Sequence, residues 1–115
     1  MTQLMAAKEK GNNHSKTKDF DAAITEYSKG VDLYKKAKKP RASDVDLVIG
    51  QIYTNRALMH HNIGDQKAVI ADATYVIDNL DAKNPKALLR RCAAFKIGLD
   101  WEHAVKDMQA LYKIT

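Results

Sequence analysis

The chain has 115 residues, 45% of them hydrophobic, and its 19 lysines and arginines against 14 aspartates and glutamates give a formal net charge of +5. This size and apolar content support one domain with a hydrophobic core and exclude a disordered chain, while the basic balance favours an anionic partner without distinguishing nucleic acid, acidic lipid and acidic peptide. One cysteine excludes an internal disulfide. No apolar run approaches the ~18 residues that span a bilayer, and the N-terminus does not resemble a signal peptide. We therefore expect a soluble cytoplasmic protein with no membrane insertion.

Two helices are predicted in the first third of the chain. Residues 3–17 combine helix formers without proline, and residues 20–37 repeat apolar or small side chains at three- and four-residue spacing. Asp19 lies between them and is predicted to cap the second helix. The basic run 35–41 contains Pro40, which ends that helix. We interpret the run as a solvated helix end whose cations suit the helix dipole, and an acidic docking patch or a nuclear address is the alternative.

Four more helices follow a loop at residues 42–45, at 46–63, 66–80, 86–97 and 101–114. Ser43 or Asp44 is predicted to cap the first of these, and Gly64 to end it in the left-handed conformation. Pro85 lies where the first turn of a helix accepts proline. The sequence therefore predicts an all-α protein of six antiparallel helices in three hairpins.

The three hairpins share a pattern of small and aromatic positions. In the first, Gly11 and Ala23 let two helices approach closely, and Phe20 and Tyr27 fill the space around the contact. The pattern returns at Cys92, Trp101, Ala104 and Met108, and again between them at Ala57, Gly64, Asp65, Val69 and Ala73. The spacing fits a period of about 34 residues with one insertion of about 13.

These positions resemble the tetratricopeptide repeat (TPR). The resemblance implies an α-solenoid in which three hairpins stack as a right-handed superhelix, with the first helix of each hairpin lining a concave groove. The single domain would cover residues 1–115, with repeats at about 4–37, 50–83 and 85–115 and an insertion at about 38–49. Val69 departs from the alanine that the second repeat prefers. A further solvating helix is usual in this family, so we expect a fragment of a longer protein and self-association through the uncapped last repeat.

Chaperone-binding TPR domains carry a sharper pattern, called the dicarboxylate clamp. It places Lys and Asn four residues apart in the first repeat, Asn followed by Arg in the second, and Lys and Arg four apart in the third. The corresponding residues here are Lys8 and Asn12, Asn55 with Arg56 behind it, and Lys86 and Arg90.

The clamp also has a physical basis. Residues four apart share one helical face, so Lys8 points with Asn12 and Lys86 with Arg90. If the first helices line one groove, three cations and two amides converge and repel one another until an anion binds. Two neighbouring carboxylates, such as the last side chain and the free C-terminus of a peptide ending in aspartate, would satisfy the cluster.

The resemblance implies that the ligand is the Glu-Glu-Val-Asp (EEVD) tail of cytosolic heat-shock protein 70 or 90, and that the protein is a co-chaperone or adaptor. Lys8, Asn12 and Asn55 would hold the terminal carboxylate, Lys86 the terminal aspartate or main chain, and Arg90 a group further up the peptide. The pocket for the penultimate valine would be lined by Asn13, Ser15, Lys16, Thr54 and Leu58. The long insertion and the segments 53–57 and 86–91 most resemble the TPR domains of sperm-associated antigen 1, a dynein-assembly co-chaperone, and of the related outer-membrane import adaptor.

Other functions are disfavoured by the residues themselves. No phosphate loop, nucleophile triad or carboxylate pair stands out, so we expect no enzyme and no cofactor. His60 and His61 are adjacent and point in different directions, so no metal site is expected; His60 is interpreted as a core histidine and Cys92 as a packed thiol. The alternatives are a generic scaffold that binds a helix or internal peptide without a free carboxylate, and binding of nucleic acid or acidic membrane through residues 35–41. No aromatic residue is interleaved with that run, which argues against base stacking.

Overall fold

The fold is described from a computed structural model, for residues 2–37 and 43–114. These residues form six α-helices, which are α1 (Thr2–Lys16), α2 (Phe20–Lys36), α3 (Ser43–Asn62), α4 (Gln66–Asn79), α5 (Pro85–Ile97) and α6 (Trp101–Ile114). The predicted all-α fold is confirmed. Most of the basic run and part of the predicted loop fall in segment 38–42, which lies outside the described residues.

The turn inside each hairpin is built in the same way. The side chains of Asp19, Asp65 and Asp100 each accept a hydrogen bond from the amide three residues further on, which satisfies a free donor of the following helix. The residue before each aspartate has a positive φ, 61° at Lys18, 82° at Gly64 and 61° at Leu99. The predicted cap at Asp19 and the left-handed Gly64 are therefore confirmed. Glycine adopts this conformation freely, whereas a residue with a Cβ pays about 1 kcal/mol.

The helices stack so that the first helix of each hairpin forms an inner layer. Consecutive helices pack against each other along the chain, and α3 also contacts both α1 and α5. The second helices α2, α4 and α6 make no such contact with one another in the described part of the chain. The stack therefore curves with α1, α3 and α5 on its inside, as in a TPR solenoid.

Close approach of α1 and α2 depends on a missing side chain. Gly11 is buried, and a Cβ at this position would lie less than 3.0 Å from three ring carbons of Tyr27, which is itself 1% exposed. Ala23 is fully buried in the same core cluster as Tyr27. Val69 is fully buried where the repeat prefers alanine, and Cys92 is buried with its thiol 3.4 Å from a carbonyl oxygen of α6. The small positions identified in the sequence thus pack the helix pairs.

Two part-buried arginines each form an ion pair within their own hairpin and bond to the preceding hairpin as well. Arg56 on α3 donates to both oxygens of Asp72 on α4, at 2.6 and 2.8 Å, and to the hydroxyl of Ser28 on α2 at 3.1 Å. One repeat later, Arg91 donates to Asp107 on α6 at 2.7 and 2.8 Å and to Thr74 on α4 at 3.2 Å. Each arginine therefore joins three helices.

Helix α3 begins earlier than the sequence predicts. It starts at Ser43, so residues 43–45 are helical and neither Ser43 nor Asp44 is an N-cap outside the helix. These additional residues make up less than one turn: Val45 packs against the hydrophobic core, and Asp46 next to it accepts a 3.0 Å hydrogen bond from the hydroxyl of Tyr34 on α2. Tertiary contacts with α2 therefore convert part of the predicted insertion loop into helix. None of the helices within residues 2–37 and 43–114 is both long and apolar enough to cross a membrane.

Candidate functional site

The inner layer carries all five residues of the predicted clamp. Lys8 and Asn12 lie on α1, Asn55 on α3, and Lys86 and Arg90 on α5. Several of these residues form hydrogen bonds between helices. Lys8 and Asn12 on α1 bond to residues of α3, and Arg90 on α5 also bonds to α3. The fold thus brings Lys8, Asn12 and Arg90 against α3, which carries Asn55, and Lys86 lines a cleft with Gln51 and Thr54 of the same helix.

Asn12 lies between α1 and α3 and is held in one orientation. Its side-chain oxygen accepts a 3.1 Å hydrogen bond from the amide of Asn55 and another from the hydroxyl of Tyr27. Burial raises the pKa of Tyr27 above its usual 10.0, so this phenol stays protonated and donates. Because the Asn12 oxygen is occupied, its NH₂ group is available to an outside acceptor, and no acceptor for it lies within the described residues.

The two lysines lie on either side of Gln51. Lys8 Nζ donates a 3.0 Å hydrogen bond to Gln51 Oε1, which draws this cation toward α3. Lys86 lines, together with Gln51, a cleft between α3, α4 and α5. Lys86 makes no ion pair with a carboxylate in the described part of the chain. Both ammonium groups therefore keep donors for a ligand.

Arg90 differs from the two structural arginines. Its Nε donates a 3.0 Å hydrogen bond to the carbonyl oxygen of Thr54, which fixes the guanidinium between α5 and α3. Burial lowers the pKa of Arg90, because no carboxylate compensates for its lost hydration. By contrast, the hydrogen bonds that Arg91 donates to Asp107 raise its pKa, and at Arg56 burial is outweighed by the hydrogen bonds donated to Asp72 and by the charge of that carboxylate. Arg90 is thus a half-buried cation without a counter-ion among residues 2–37 and 43–114.

Two clefts flank the central amides. The α1–α3 cleft has a volume of about 250 Å³ and is lined by Asn12, Ser15, Lys16, Tyr27, Asn55, Leu58 and Met59. The α3–α5 cleft, of about 140 Å³, is lined by Leu58, His61, Leu89, Arg90 and Ala93. Leu58 belongs to both clefts, so they are neighbours. No carboxylate lines either cleft, and both have polar donors beside apolar carbon.

The residues predicted for the valine pocket divide into two groups. Ser15, Lys16 and Leu58 line the α1–α3 cleft, whereas Asn13 is exposed and does not line it. Thr54 is buried and contributes its carbonyl oxygen to Arg90 instead. Sequence reasoning did not identify the parts played by Tyr27, Gln51 and Leu89. The sequence predicts only a packing role for Tyr27, whereas in the fold its hydroxyl donates to Asn12.

Other candidate sites gain little from the structure. His60 is partly buried, 3.7 Å from Asp72, and burial lowers its pKa, consistent with a packed histidine. No group of three metal-ligating side chains occurs among the described residues. Lys35 and Lys36 are exposed in the last turn of α2, and the rest of the basic run lies outside the described segments.

Similar structures share this arrangement of helices. The second TPR of Spaghetti (RPAP3) bound to HSP90 peptide SRMEEVD aligns with 98% of the chain and 93% of its own, at 23% identity and a TM-score of 0.80. The Arabidopsis OM64 TPR domain aligns with 97% of the chain and 83% of its own, at 26% identity and a TM-score of 0.80. The first TPR of Spaghetti, bound to the same peptide, aligns with 97% of the chain and 79% of its own, at 27% identity and a TM-score of 0.79.

Similar sequences occur within much longer proteins. Protein unc-45 homolog B of Danio rerio is 35% identical over 102 residues, which are 89% of this chain and 10% of the relative. The mitochondrial import receptor subunit TOM70 of Homo sapiens is 30% identical over 111 residues, 96% of this chain and 17% of the relative. The chain therefore spans a tenth to a sixth of these relatives. No protein-family model matches it.

Proposed function

Because the chain folds as a tetratricopeptide-repeat domain, we propose that it binds the acidic C-terminal tail of a heat-shock protein through the clamp residues Lys8, Asn12, Asn55, Lys86 and Arg90. The ligand would be the EEVD tail of heat-shock protein 90, heat-shock protein 70 or both. The domain would act without catalysis, as the chaperone-binding part of a cytoplasmic co-chaperone or adaptor. We also propose a role in dynein assembly, because of the sequence resemblance to the TPR domains of sperm-associated antigen 1.

The observation that carries this proposal is the position of Arg90, whose Nε is fixed on the carbonyl oxygen of Thr54 and which pairs with no carboxylate among the described residues. A half-buried guanidinium that lacks a carboxylate is unfavourable in the free protein, and a peptide carboxylate would relieve the cost. Arg90 shares its surface with the ammonium groups of Lys8 and Lys86, which add two more donors. Charge-assisted hydrogen bonds of this kind contribute roughly 1.5 to 3 kcal/mol each.

The clefts suggest a course for the peptide across the groove. The terminal carboxylate would bind at Asn12 and Asn55, whose amide donors are already oriented. The penultimate valine would then enter the α1–α3 cleft. A larger apolar residue before the acidic pair, such as the methionine in the SRMEEVD peptide bound by the Spaghetti domains, would enter the α3–α5 cleft against Leu89. Arg90, at the edge of that cleft, would bond an oxygen between these two side chains.

The free carboxylate distinguishes this proposal from a generic scaffold. We would titrate the protein by calorimetry with the peptide SRMEEVD and with the same peptide amidated at its C-terminus. Micromolar binding, roughly −8 kcal/mol, should weaken at least ~10-fold on amidation, because one clamped charge is lost. Arg90→Ala should weaken it similarly, and the matched control Lys106→Ala, an exposed lysine on α6, should not.

Equal binding of the two peptides would refute the clamp. It would favour instead a groove that binds an internal peptide or helix. Binding that survives Arg90→Ala but collapses with added salt would point to a diffuse basic surface such as the run at residues 35–41. Circular dichroism of each variant would establish that its helices are intact.

A further inference from the structure

Two hydrogen bonds between α1 and α3 form successive rungs across the inner layer. One joins Lys8 to Gln51, the other joins Asn12 to Asn55, and both connect residues that are 43 positions apart in the chain. On each helix the two bonded residues are four apart, so they share one helical face and the two helices run parallel. Gln51 therefore has the same relation to Lys8 that Asn55 has to Asn12.

Helix α5 extends this pattern to a third pair of residues. Lys86 and Arg90 are also four apart, Lys86 lines a cleft with Gln51, and Arg90 bonds to the carbonyl oxygen of Thr54. Gln51 is the one position of the pattern that the predicted clamp leaves out. The first row consists of Lys8, Gln51 and Lys86, and the second row consists of Asn12, Asn55 and Arg90.

The carboxamide of Gln51 offers a hydrogen-bond donor to the groove. An ammonium group donates and cannot accept, so the atom of Gln51 that lies 3.0 Å from Lys8 Nζ is the carbonyl oxygen Oε1. The NH₂ group points in another direction, and no acceptor for it lies within residues 2–37 and 43–114. Because Gln51 is exposed, this donor is open to a ligand. Asn12 is held in the same manner, with its oxygen bonded inside the protein.

Two carboxylates lie at the far end of the cleft that Gln51 and Lys86 share. Asp46 lines this cleft five residues before Gln51, about 7.5 Å along α3, and accepts the hydrogen bond from Tyr34. Asp81 lines it five residues before Lys86 and accepts a hydrogen bond from a backbone amide of its own turn. These two charges repel an anion from the far end of the cleft. An anion is therefore bound best at the first row, among the ammonium groups and the amide.

We propose that Gln51 is a sixth ligand contact, whose NH₂ group donates a hydrogen bond to the side-chain carboxylate of a C-terminal aspartate beside Lys86. The contact rests on the proposed function and deepens it, since it gives the groove a means of selecting aspartate at the last position. The terminal carboxylate stays with Asn12 and Asn55 of the second row. A peptide whose last residue lacks a carboxylate leaves the donors of the first row without an acceptor, which costs affinity.

Two peptides and two proteins test the contact. Fluorescence polarisation of N-terminally labelled peptides measures the dissociation constants of SRMEEVD and of SRMEEVA, which keeps the free C-terminus but lacks the last side-chain carboxylate. Gln51→Met, which keeps the length of the side chain, should weaken SRMEEVD about 10-fold and SRMEEVA less than ~2-fold. The matched control Gln109→Met makes the same change at an exposed glutamine of α6 and should affect neither peptide. Equal weakening of both peptides by Gln51→Met, or no weakening, would overturn the contact.

A second protein background separates direct contact from an effect through Lys8. In a Lys8→Met protein, Gln51→Met should still lower the preference for SRMEEVD over SRMEEVA. If the preference no longer responds, Gln51 acts only by holding Lys8, and the contact is refuted. Circular dichroism would verify the fold of each variant.

The proposed function can fail separately from this contact. If the unchanged protein binds SRMEEVD and its amidated form equally, the clamp is refuted and the Gln51 contact with it. If amidation and Arg90→Ala weaken binding as expected but Gln51→Met does not, the clamp stands and only the contact is refuted.

Discussion

Replacing Arg90 with methionine is expected to weaken peptide binding strongly while leaving the fold stable. In the free protein this guanidinium is half-buried, its pKa is lowered by burial, and its only hydrogen bond within the described residues goes to the carbonyl of Thr54. Losing that bond costs about 1 kcal/mol, and removing a poorly hydrated cation offsets a similar amount. The free energy of unfolding should therefore stay within about 1 kcal/mol of the original.

The adjacent Arg91 is the matched comparison. It donates two hydrogen bonds to Asp107, whose side chain is 5% exposed, at 2.7 and 2.8 Å. Arg91→Met would leave this carboxylate buried without a counter-ion, which typically costs about 3 to 5 kcal/mol. The same chemical substitution at neighbouring positions is therefore predicted to have opposite consequences for stability and binding.

Urea denaturation followed by circular dichroism, with and without the SRMEEVD peptide, measures both effects. Arg90→Met should lose roughly 1.5 to 3 kcal/mol of binding free energy, which raises the dissociation constant about 10- to 150-fold. Peptide at about 100 times its dissociation constant should add about 2.7 kcal/mol to the stability of the original protein and far less to that of the variant. The reasoning is refuted if Arg90→Met unfolds as readily as Arg91→Met, because Arg90 would then be a structural residue.

Four further substitutions, at residues 99, 64, 11 and 60, test the fold. Leu99→Gly should raise the free energy of unfolding by about 0.5 to 1 kcal/mol, because φ is 61° at this position. Gly64→Ala, at the corresponding position of the preceding hairpin, should lower that free energy by about 1 kcal/mol. Urea unfolding curves measure both changes, and a shift of the opposite sign would contradict the reasoning. Gly11→Ala should destabilise by about 1 to 3 kcal/mol and weaken peptide binding, because the new methyl group displaces Tyr27; unchanged calorimetry would contradict this coupling. The contribution of His60 to stability should be complete above pH 6.5 and should be lost as the pH decreases toward the lowered pKa of this histidine. The reason is that the unfolded chain then binds a proton more readily than the folded chain does. His60→Gln should flatten this part of the pH profile of the urea midpoint.

The order of helices could be predicted from the sequence because its causes are local. Three- and four-residue spacing of apolar side chains, aspartate caps and Pro85 act within one or two turns, and helices α4, α5 and α6 begin within one residue of the predicted positions. The predicted start of α3 was wrong, because contacts between residues distant in the sequence determine it. Helix α3 begins at Ser43, where Val45 packs against the core and Asp46 bonds Tyr34 of α2, contacts that no local pattern reveals.

The candidate site divides along the same line. The sequence by itself determined which residue types occur at which repeat positions, and so singled out Lys8, Asn12, Asn55, Lys86 and Arg90; their role in binding stays a prediction. Only the tertiary structure decided how these groups are held, since the partners that orient them lie on other helices. Arg90 and Arg91 are neighbours with the same side chain. One meets a carbonyl of α3 and the other a carboxylate of α6, because successive residues of a helix point about 100° apart into different surroundings.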